Sequence, residues 1–211
     1  MTKPTFDNAY WEDLWSKTLR EHADKIALRP PNAHLLHEVA AFRPGRALDA
    51  GCGHGAETLW LAARGWQVTA LDFSAAALVQ GRSMADAVGD DMARRIQWIK
   101  SDLASWTPEP AHYDLVICLY VHVAGSVEAF VRRMATGVAP GGTLFLVGHR
   151  PVDPATGAAT RAANQVQVSV QAAVAALDAD VWDVVVAEER PRPVAGTGVD
   201  AVIRARRRHE G

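Results

Sequence analysis

ALDAGCGHGAETLWLAARGWQVTALDFS, residues 47–74, decides the fold. The apolar run 46–50 reads as a buried strand that feeds Gly51, Gly53 and Gly55. Ala56 to Arg64 has helix composition, with Gly65 at the position that favours a C-terminal cap. Trp66 to Leu71 is a second strand ending at Asp72, and Ser74 is a good N-cap for a helix running to about Val88. Glycine lets the backbone turn sharply and approach a ligand closely. Asp72 lies 21 residues after Gly51, where an acid accepts hydrogen bonds from both hydroxyls of a ribose. Strand, glycine loop, helix, strand and acid make an adenosine-cofactor half-site.

Working outward, the alternation continues. Ile96 to Lys100 reads as a strand ending near Asp102, Tyr113 to Leu119 as another, and Thr143 to Val147 as a fifth. Ser126 opens a helix with Phe130, Val131 and Met134 inward, ending by Gly137. Five strands alternating with helices predict a parallel sheet wrapped on both faces, a doubly wound α/β domain. Before it, Trp11, Leu14, Trp15 and Thr18 share one helical face, and a second helix is expected from Asn32 to Phe42 with Leu35, Leu36 and Val39 inward. After it, a helix near Val168 to Leu177 precedes two strands, Val181 to Ala187 and Val199 to Ala205, which should pair antiparallel at one edge. Residues 1–211 are thus read as a single domain: a helical cap over 1–43, a cofactor-binding core over 44–148, and the remainder of the sheet over 149–211.

Composition agrees with one folded domain. The 211 residues are 49% hydrophobic and 22% charged, with a net charge of −2. That balance argues against a dedicated nucleic-acid or membrane-surface binder. Cys52 and Cys118 make no disulfide framework, which points to a reducing compartment, the cytoplasm. The amino terminus shows no signal-peptide pattern, and no apolar run reaches the roughly 18 residues of a membrane span.

The glycine loop alone is ambiguous, because Gly51-x-Gly53-x-x-Ala56 also satisfies the dinucleotide fingerprint. Three features separate the readings. Asp49, just before the glycines, suits a ligand carrying an amine or sulfonium and would repel a pyrophosphate. Asp102, at the end of the third strand, is placed to accept from an adenine amino group. No Tyr-x-x-x-Lys pair is present, as a short-chain dehydrogenase would require.

LDAGCGHG (48–55), VTALDFS (68–74), SDL (101–103), YDLVICLYVHV (113–123) and APGGTLFLV (139–147) together resemble a class I S-adenosylmethionine-dependent methyltransferase. YWEDLW and the short C-terminal part also resemble the small-molecule branch that includes tellurite-resistance and thiopurine-type enzymes. The resemblance implies a Rossmann-like seven-stranded sheet, mostly parallel with one antiparallel edge strand. It implies that Gly51, Gly53 and Gly55 line the methionine and ribose and that Asp49 lies near the methionine amine. Asp72 would bind the ribose hydroxyls, Phe73 would flank the adenine, and Asp102 and Leu103 would meet its edge. Leu119 would contact the cofactor backbone, with Cys52, Ser74 and Trp15 completing the lining. Cys52 reads as a small loop filler rather than a nucleophile. Tyr10, Trp11 and Trp15 read either as helix-face core or as a lid over the sulfonium.

Methyl transfer from a sulfonium is an in-line displacement in which proximity supplies most of the acceleration and a base is optional. Candidate catalytic residues follow the fourth and fifth strands: Tyr120, His122 and His149, with His122 favoured as base. His54, in the loop, could contact the cofactor or simply cover the loop. His34 and His37 read as packing or surface residues, and no metal site is expected. The expected reaction moves the methyl of S-adenosylmethionine to an O, N or S atom of a small organic acceptor, releasing S-adenosylhomocysteine. A nicotinamide oxidoreductase and a non-catalytic S-adenosylmethionine-binding module are the competing readings. The oligomeric state is open.

Overall fold

A computed structural model describes residues 8–123, 125–152, 156–160, 166–192 and 198–209. The connections 151–165, equally readable from sequence as a lid or a fixed loop, and 191–198, between the last two expected strands, therefore fall partly outside the described residues, as do residues 210 and 211.

Seven strands form one sheet: β1 (Arg46–Ala50), β2 (Gln67–Asp72), β3 (Ile96–Lys100), β4 (Tyr113–Leu119), β5 (Val138–His149), β6 (Trp182–Pro191) and β7 (Val199–Arg207). Their order is β3-β2-β1-β4-β5-β7-β6. The helices are α1 (Asn8–Ala27), α2 (Ala33–Val39), α3 (Ala56–Ala63), α4 (Ala75–Val88), α5 (Asp90–Ala93), α6 (Val127–Ala135) and α7 (Val170–Ala176). The short α5 had no counterpart in the sequence reading. β1 with β2, β2 with β3, and β4 with β5 pair parallel. β7 runs antiparallel to both neighbours, β5 and β6. The reversed strand is therefore second from the edge, and β6 lies outside it.

The chain divides into two compact units, residues 1–32 with 44–103, and residues 33–43 with 104–211. In the first, β1 buries every residue after Arg46, as a strand covered on both faces must. α3 packs on β2, α4 on β3, and α1 on α4. Ser74 caps α4 as expected, its Oγ accepting from Ala77 N at 3.2 Å. Helix α1 is longer than the aromatic spacing indicated and is broken at His22. Its Trp11 and Trp15 are half-buried, whereas Leu14 is exposed.

In the second unit, Leu144, Phe145 and Leu146 of β5 and Leu115, Val116 and Ile117 of β4 are fully buried. Each such side chain contributes roughly 1.5–3 kcal/mol by leaving water. Phe130, Val131 and Met134 of α6 face inward as the periodicity required. β5 starts at Val138, five residues before the expected Thr143. Its Pro140-Gly141-Gly142 stretch is absorbed by a register shift against β4 between Tyr113 and Leu115. In α2 the buried residues are His34, Leu35 and Val39, so His34 takes the inward place expected of Leu36.

Candidate active site

In the first unit, the turn after β1 is built on three left-handed glycines. Gly51 N and Cys52 N both donate to Leu71 O, at 2.8 and 3.0 Å, which ties the loop to β2. Gly53 is required twice over. Its φ is +53°, and a Cβ there would lie 2.8 Å from Cζ2 of Trp15. The Trp15 ring thus seals the loop from the α1 side and also meets the His54 ring, with centroids 5.5 Å apart. Gly55, at φ +84°, precedes α3, and a Cβ there would strike Trp98.

Asp72, at the end of β2, is buried. Its Oδ2 accepts from Gly53 N at 2.8 Å and its Oδ1 from Ser74 N at 2.9 Å. Burial pushes its pKa up despite the Ser74 and Gly53 amides, and the nearby Glu12 carboxylate adds to the rise. Asp49 is buried at the end of β1, and its Oδ2 accepts from Thr58 Oγ1 at 2.6 Å. Burial, with Glu57 as the next cause, pushes Asp49 up to about 8, so at neutral pH this group is a carboxyl. Glu12 Oε2 and His54 Nε2 are buried without a hydrogen-bond partner. His54 is held neutral, its pKa lowered to about 4 by burial and then by Arg29.

The remaining loop residues sort plainly. Cys52 is a buried thiol whose pKa burial raises well above the usual value, which leaves no nucleophile. Ser74 Oγ is committed to the α4 cap. Phe73, Asp102 and Leu103 are half-buried after β2 and β3, open to a ligand edge. The first unit therefore brings together Trp15, Asp49, the three glycines and Asp72, and adds Glu12, which the sequence reading did not name. A buried carboxyl far from its usual pKa, with orphaned polar atoms beside a glycine loop, fits a ligand carrying hydroxyls and a cationic amine.

In the second unit, Leu119 is half-buried at the end of β4, opposite Val147. Tyr120 follows with a left-handed backbone, φ +57°. For a residue with a Cβ this costs on the order of 1–3 kcal/mol and persists only where the surroundings hold it. The holding is visible. Tyr120 OH donates to Asp200 Oδ2 at 2.8 Å, and its ring stacks on His149 at 3.9 Å. Asp200, fully buried on β7, also accepts from Arg192 Nε at 2.9 Å. His149 Nδ1 lies 3.0 Å from Asp200 Oδ1, and His34 Nε2 lies 3.4 Å from Oδ2. Burial alone would raise the Asp200 pKa, but His149, His34, Arg192 and Tyr120 together hold it well below the usual carboxylate range. Arg192 Nη2 also touches His149 Nδ1.

His122 lies 3.5 Å from Gln167 Nε2 through its own Nε2. Its pKa is lowered to about 4, by burial first and His149 second. A group that holds a proton so weakly takes one poorly at neutral pH, which weakens its claim as a base. The second unit brings two of the three catalytic candidates, Tyr120 and His149, into contact. It adds Asp200, Arg192, His34 and Gln167, none of which carried a motif. Among the described residues no cluster suits a metal ion, and no helix is long and apolar enough to cross a membrane.

Residues 47–142 match the family model described as a methyltransferase domain. A trans-aconitate 2-methyltransferase of Paracidovorax citrulli is 31% identical over 139 residues, covering 63% of this chain and 49% of that protein. A ubiquinone biosynthesis O-methyltransferase of Xanthomonas campestris is 35% identical over 124 residues, covering 57% of this chain and 49% of that protein. The chain thus spans about half the length of these curated relatives. Among solved structures, an S-adenosylmethionine dependent methyltransferase from Mesorhizobium loti superposes with a TM-score of 0.64 at 20% identity, over 83% of this chain and 98% of that one. A 1,6-didemethyltoxoflavin-N1-methyltransferase from Burkholderia thailandensis, with bound 1,6-didemethyltoxoflavin and S-adenosylhomocysteine, gives 0.62 at 19% identity, over 99% and 93% of the two chains.

Proposed function

We propose that this chain, which has the fold and the loop of the class I S-adenosylmethionine-dependent methyltransferases, transfers the methyl of S-adenosylmethionine to a small organic acceptor. The observation that carries the reading is the set of buried, under-partnered acids around the glycine loop. Asp72 keeps a lone pair on each oxygen beyond its two backbone bonds and is suited to paired ribose hydroxyls. Asp49 would lose its proton and pair with the methionine ammonium. Trp15 closes the loop from one side, excluding water and offering a ring face to positive charge. Phe73, Asp102 and Leu103 would frame the adenine. The relatives are named for trans-aconitate and for O-methylation in ubiquinone biosynthesis, which supports a small-molecule acceptor.

The bound donor supplies a methyl group already activated on a sulfonium. The protein's share is then to hold the acceptor in line and keep water out. Tyr120 and His149, at the C-terminal ends of β4 and β5, stand where ligands of open α/β sheets bind, and serve the acceptor.

Calorimetry with S-adenosylmethionine, S-adenosylhomocysteine, methylthioadenosine and NAD tests the reading. The first two should bind tightly and methylthioadenosine more weakly, since it lacks the amine. Tight NAD binding without S-adenosylmethionine binding would sink it. Binding with no S-adenosylhomocysteine released across a panel of acceptors would instead leave a non-catalytic module.

A further inference from the structure

An ionised carboxylate can only accept hydrogen bonds, at about two places on each oxygen. The neighbours of Asp200 fill those places. Tyr120 OH donates to Oδ2 at 2.8 Å, and His34 Nε2 lies 3.4 Å from the same oxygen. Arg192 Nε donates to Oδ1 at 2.9 Å, and His149 Nδ1 lies 3.0 Å from it. A ring nitrogen so close to an ionised carboxylate carries a proton. Burial raises the Asp200 pKa, and the His149 bond is the first of the contacts that hold it low instead. A neutral His149 therefore keeps its hydrogen on Nδ1 and a lone pair on Nε2. Among the described residues no hydrogen bond reaches that Nε2, and the side chain is 26% exposed.

We propose that His149, its Nδ1–H held by Asp200, is the base that takes the proton of a hydroxyl-bearing methyl acceptor at Nε2, with Asp200 as its positioning residue. The role in transfer rests on the methyltransferase reading; the proton on Nδ1 does not. Other contacts fix the ring. Tyr120 stacks on its face, and Gln167 Oε1 accepts from the backbone N–H of His149 at 2.6 Å. Gly148, just before it, lies so close to Val168 that a Cβ would overlap the Val168 carbonyl. Arg192 Nη2 also touches Nδ1, because both are donors turned on one carboxylate oxygen. The guanidinium thus opposes the imidazolium that Asp200 favours, so the ring can release the proton it takes. The other ionisable groups nearby are His122, held neutral with its pKa lowered to about 4, and Arg150, paired with Glu189 at 2.6 Å.

The pair selects a substrate class. A carboxylate acceptor arrives without a proton and has no use for the lone pair on Nε2. A phenol or enol keeps its proton at neutral pH, and its oxygen becomes a strong nucleophile as that proton leaves. The lone pair on Nε2 forms the new N–H bond, and the electrons of the broken O–H bond stay on oxygen. A lone pair on that oxygen forms the O–C bond, and the C–S bond breaks with its electron pair passing to sulfur. A sulfonium and a neutral hydroxyl become a neutral ether and a thioether, and the positive charge ends on His149 beside Asp200. The proton then passes to water at the exposed edge of the ring.

Nitrogen-15 NMR of the histidine-labelled protein reads the ring whether or not any acceptor turns over. Neutral His149 should show a protonated, pyrrole-like Nδ1 and a pyridine-like Nε2; the reverse overturns the proposal. Asp200→Asn, with the fold checked by circular dichroism, should lower the proton affinity of His149 by roughly tenfold or more, and Arg192→Ala should raise it. A titration of His149 that moves with neither change removes Asp200 as its positioning residue. Addition of phenol should shift the Nε2 resonance, whereas anisole, which lacks the hydroxyl, should not; no response to phenol, or an equal response to both, removes the hydroxyl class. In methyl transfer from S-adenosylmethionine to phenol, His149→Ala and His149→Gln should both lose on the order of 100-fold or more. Asp200→Asn should shift the acid limb of kcat/KM to lower pH, in step with the His149 titration. With 4-nitrophenol in mildly alkaline buffer, where it is already ionised, the two His149 variants should stay within about tenfold of wild type. A Gln variant near wild-type activity on phenol, or equal losses on the two acceptors, overturns the base. If S-adenosylmethionine binds in calorimetry and neither phenol is methylated, the acceptor class falls while the methyltransferase reading stands.

Discussion

Two sets of buried acids in this protein are handled in opposite ways. Around the glycine loop, Asp49 and Asp72 have their pKa values raised, because burial outweighs the few donors that reach them. On β7, Asp200 has its pKa lowered, because four side chains outweigh the same burial. The difference is one of saturation. An acid with few partners stores unfavourable desolvation that a ligand can relieve, whereas a saturated acid has nothing left to offer a ligand and organises its neighbours instead. In the proposed function the first pattern is that of a binding surface, and the second is a scaffold that holds Tyr120 and His149.

Breaking the scaffold should produce the largest effect. Asp200→Ala leaves Arg192 and His34 without their carboxylate and should lower unfolding stability by about 3–5 kcal/mol, the range for truncating one partner of a buried pair. Chemical denaturation measures it; a loss below 1 kcal/mol would mean the network is ornamental. The pH dependence has a definite sign. A carboxylate lowered in the folded state contributes stability that is present above the unfolded value near 4 and is lost as pH falls below it. The gap between wild type and Asp200→Asn should therefore close in acid.

The binding surface should respond in affinity. Asp72→Ala should weaken S-adenosylmethionine and S-adenosylhomocysteine alike by roughly 10- to 150-fold, with a stability loss smaller than that of Asp200→Ala. Equal damage to stability and affinity would erase the contrast between the two acids.

Asp49 sharpens the comparison through pH. Its raised pKa means the folded state is penalised progressively as pH climbs from the unfolded value near 4 to about 8. Asp49→Asn should therefore raise the melting temperature at pH 8 and leave it unchanged near pH 4. For the wild type, an ammonium ligand favours the ionised form. S-adenosylmethionine should bind more tightly as pH rises from 6 to 8, with proton release visible as a buffer-dependent heat. A pH-independent affinity would remove Asp49 from the amine site.

The smallest effect is expected at His122. With its pKa near 4 it is already neutral, and His122→Ala should reduce turnover less than tenfold. A loss of 100-fold that eases at high pH would make it the base after all.

The first of these two regions was legible in the sequence, whereas of the second only Tyr120 and His149 were named and their partners were not, for a physical reason. Asp49, the glycines, Asp72 and Ser74 lie within 26 consecutive residues, so strand periodicity and turn chemistry place them with little help from the rest of the chain. Residues 34, 120, 149, 192 and 200 meet only through tertiary structure. His149 faces Asp200 because β5 and β7 pair in one antiparallel register, and no local pattern encodes that register. His34, read as a packing or surface residue, is buried because Asp200 gives it a partner. Trp15 posed two alternatives from spacing alone, and a seat over Gly53 joins them: the ring is packed, and what it packs against is the loop.

The carboxylate of Asp200 also bears on how the sheet assembles. The buried neighbours along β7 are Ala201, Val202, Ile203 and Ala205, all apolar, whose burial alone distinguishes poorly between registers against β5. A slip by one residue would turn Asp200 to the opposite face and offer His149 either Val199 or Ala201. It would strand a charge among hydrocarbon and leave Tyr120 without the anchor that holds its backbone left-handed. One ionised side chain thus penalises misaligned pairings of β7 that hydrophobicity alone would not discriminate, and the correct alignment is the one in which five distant residues find each other at once.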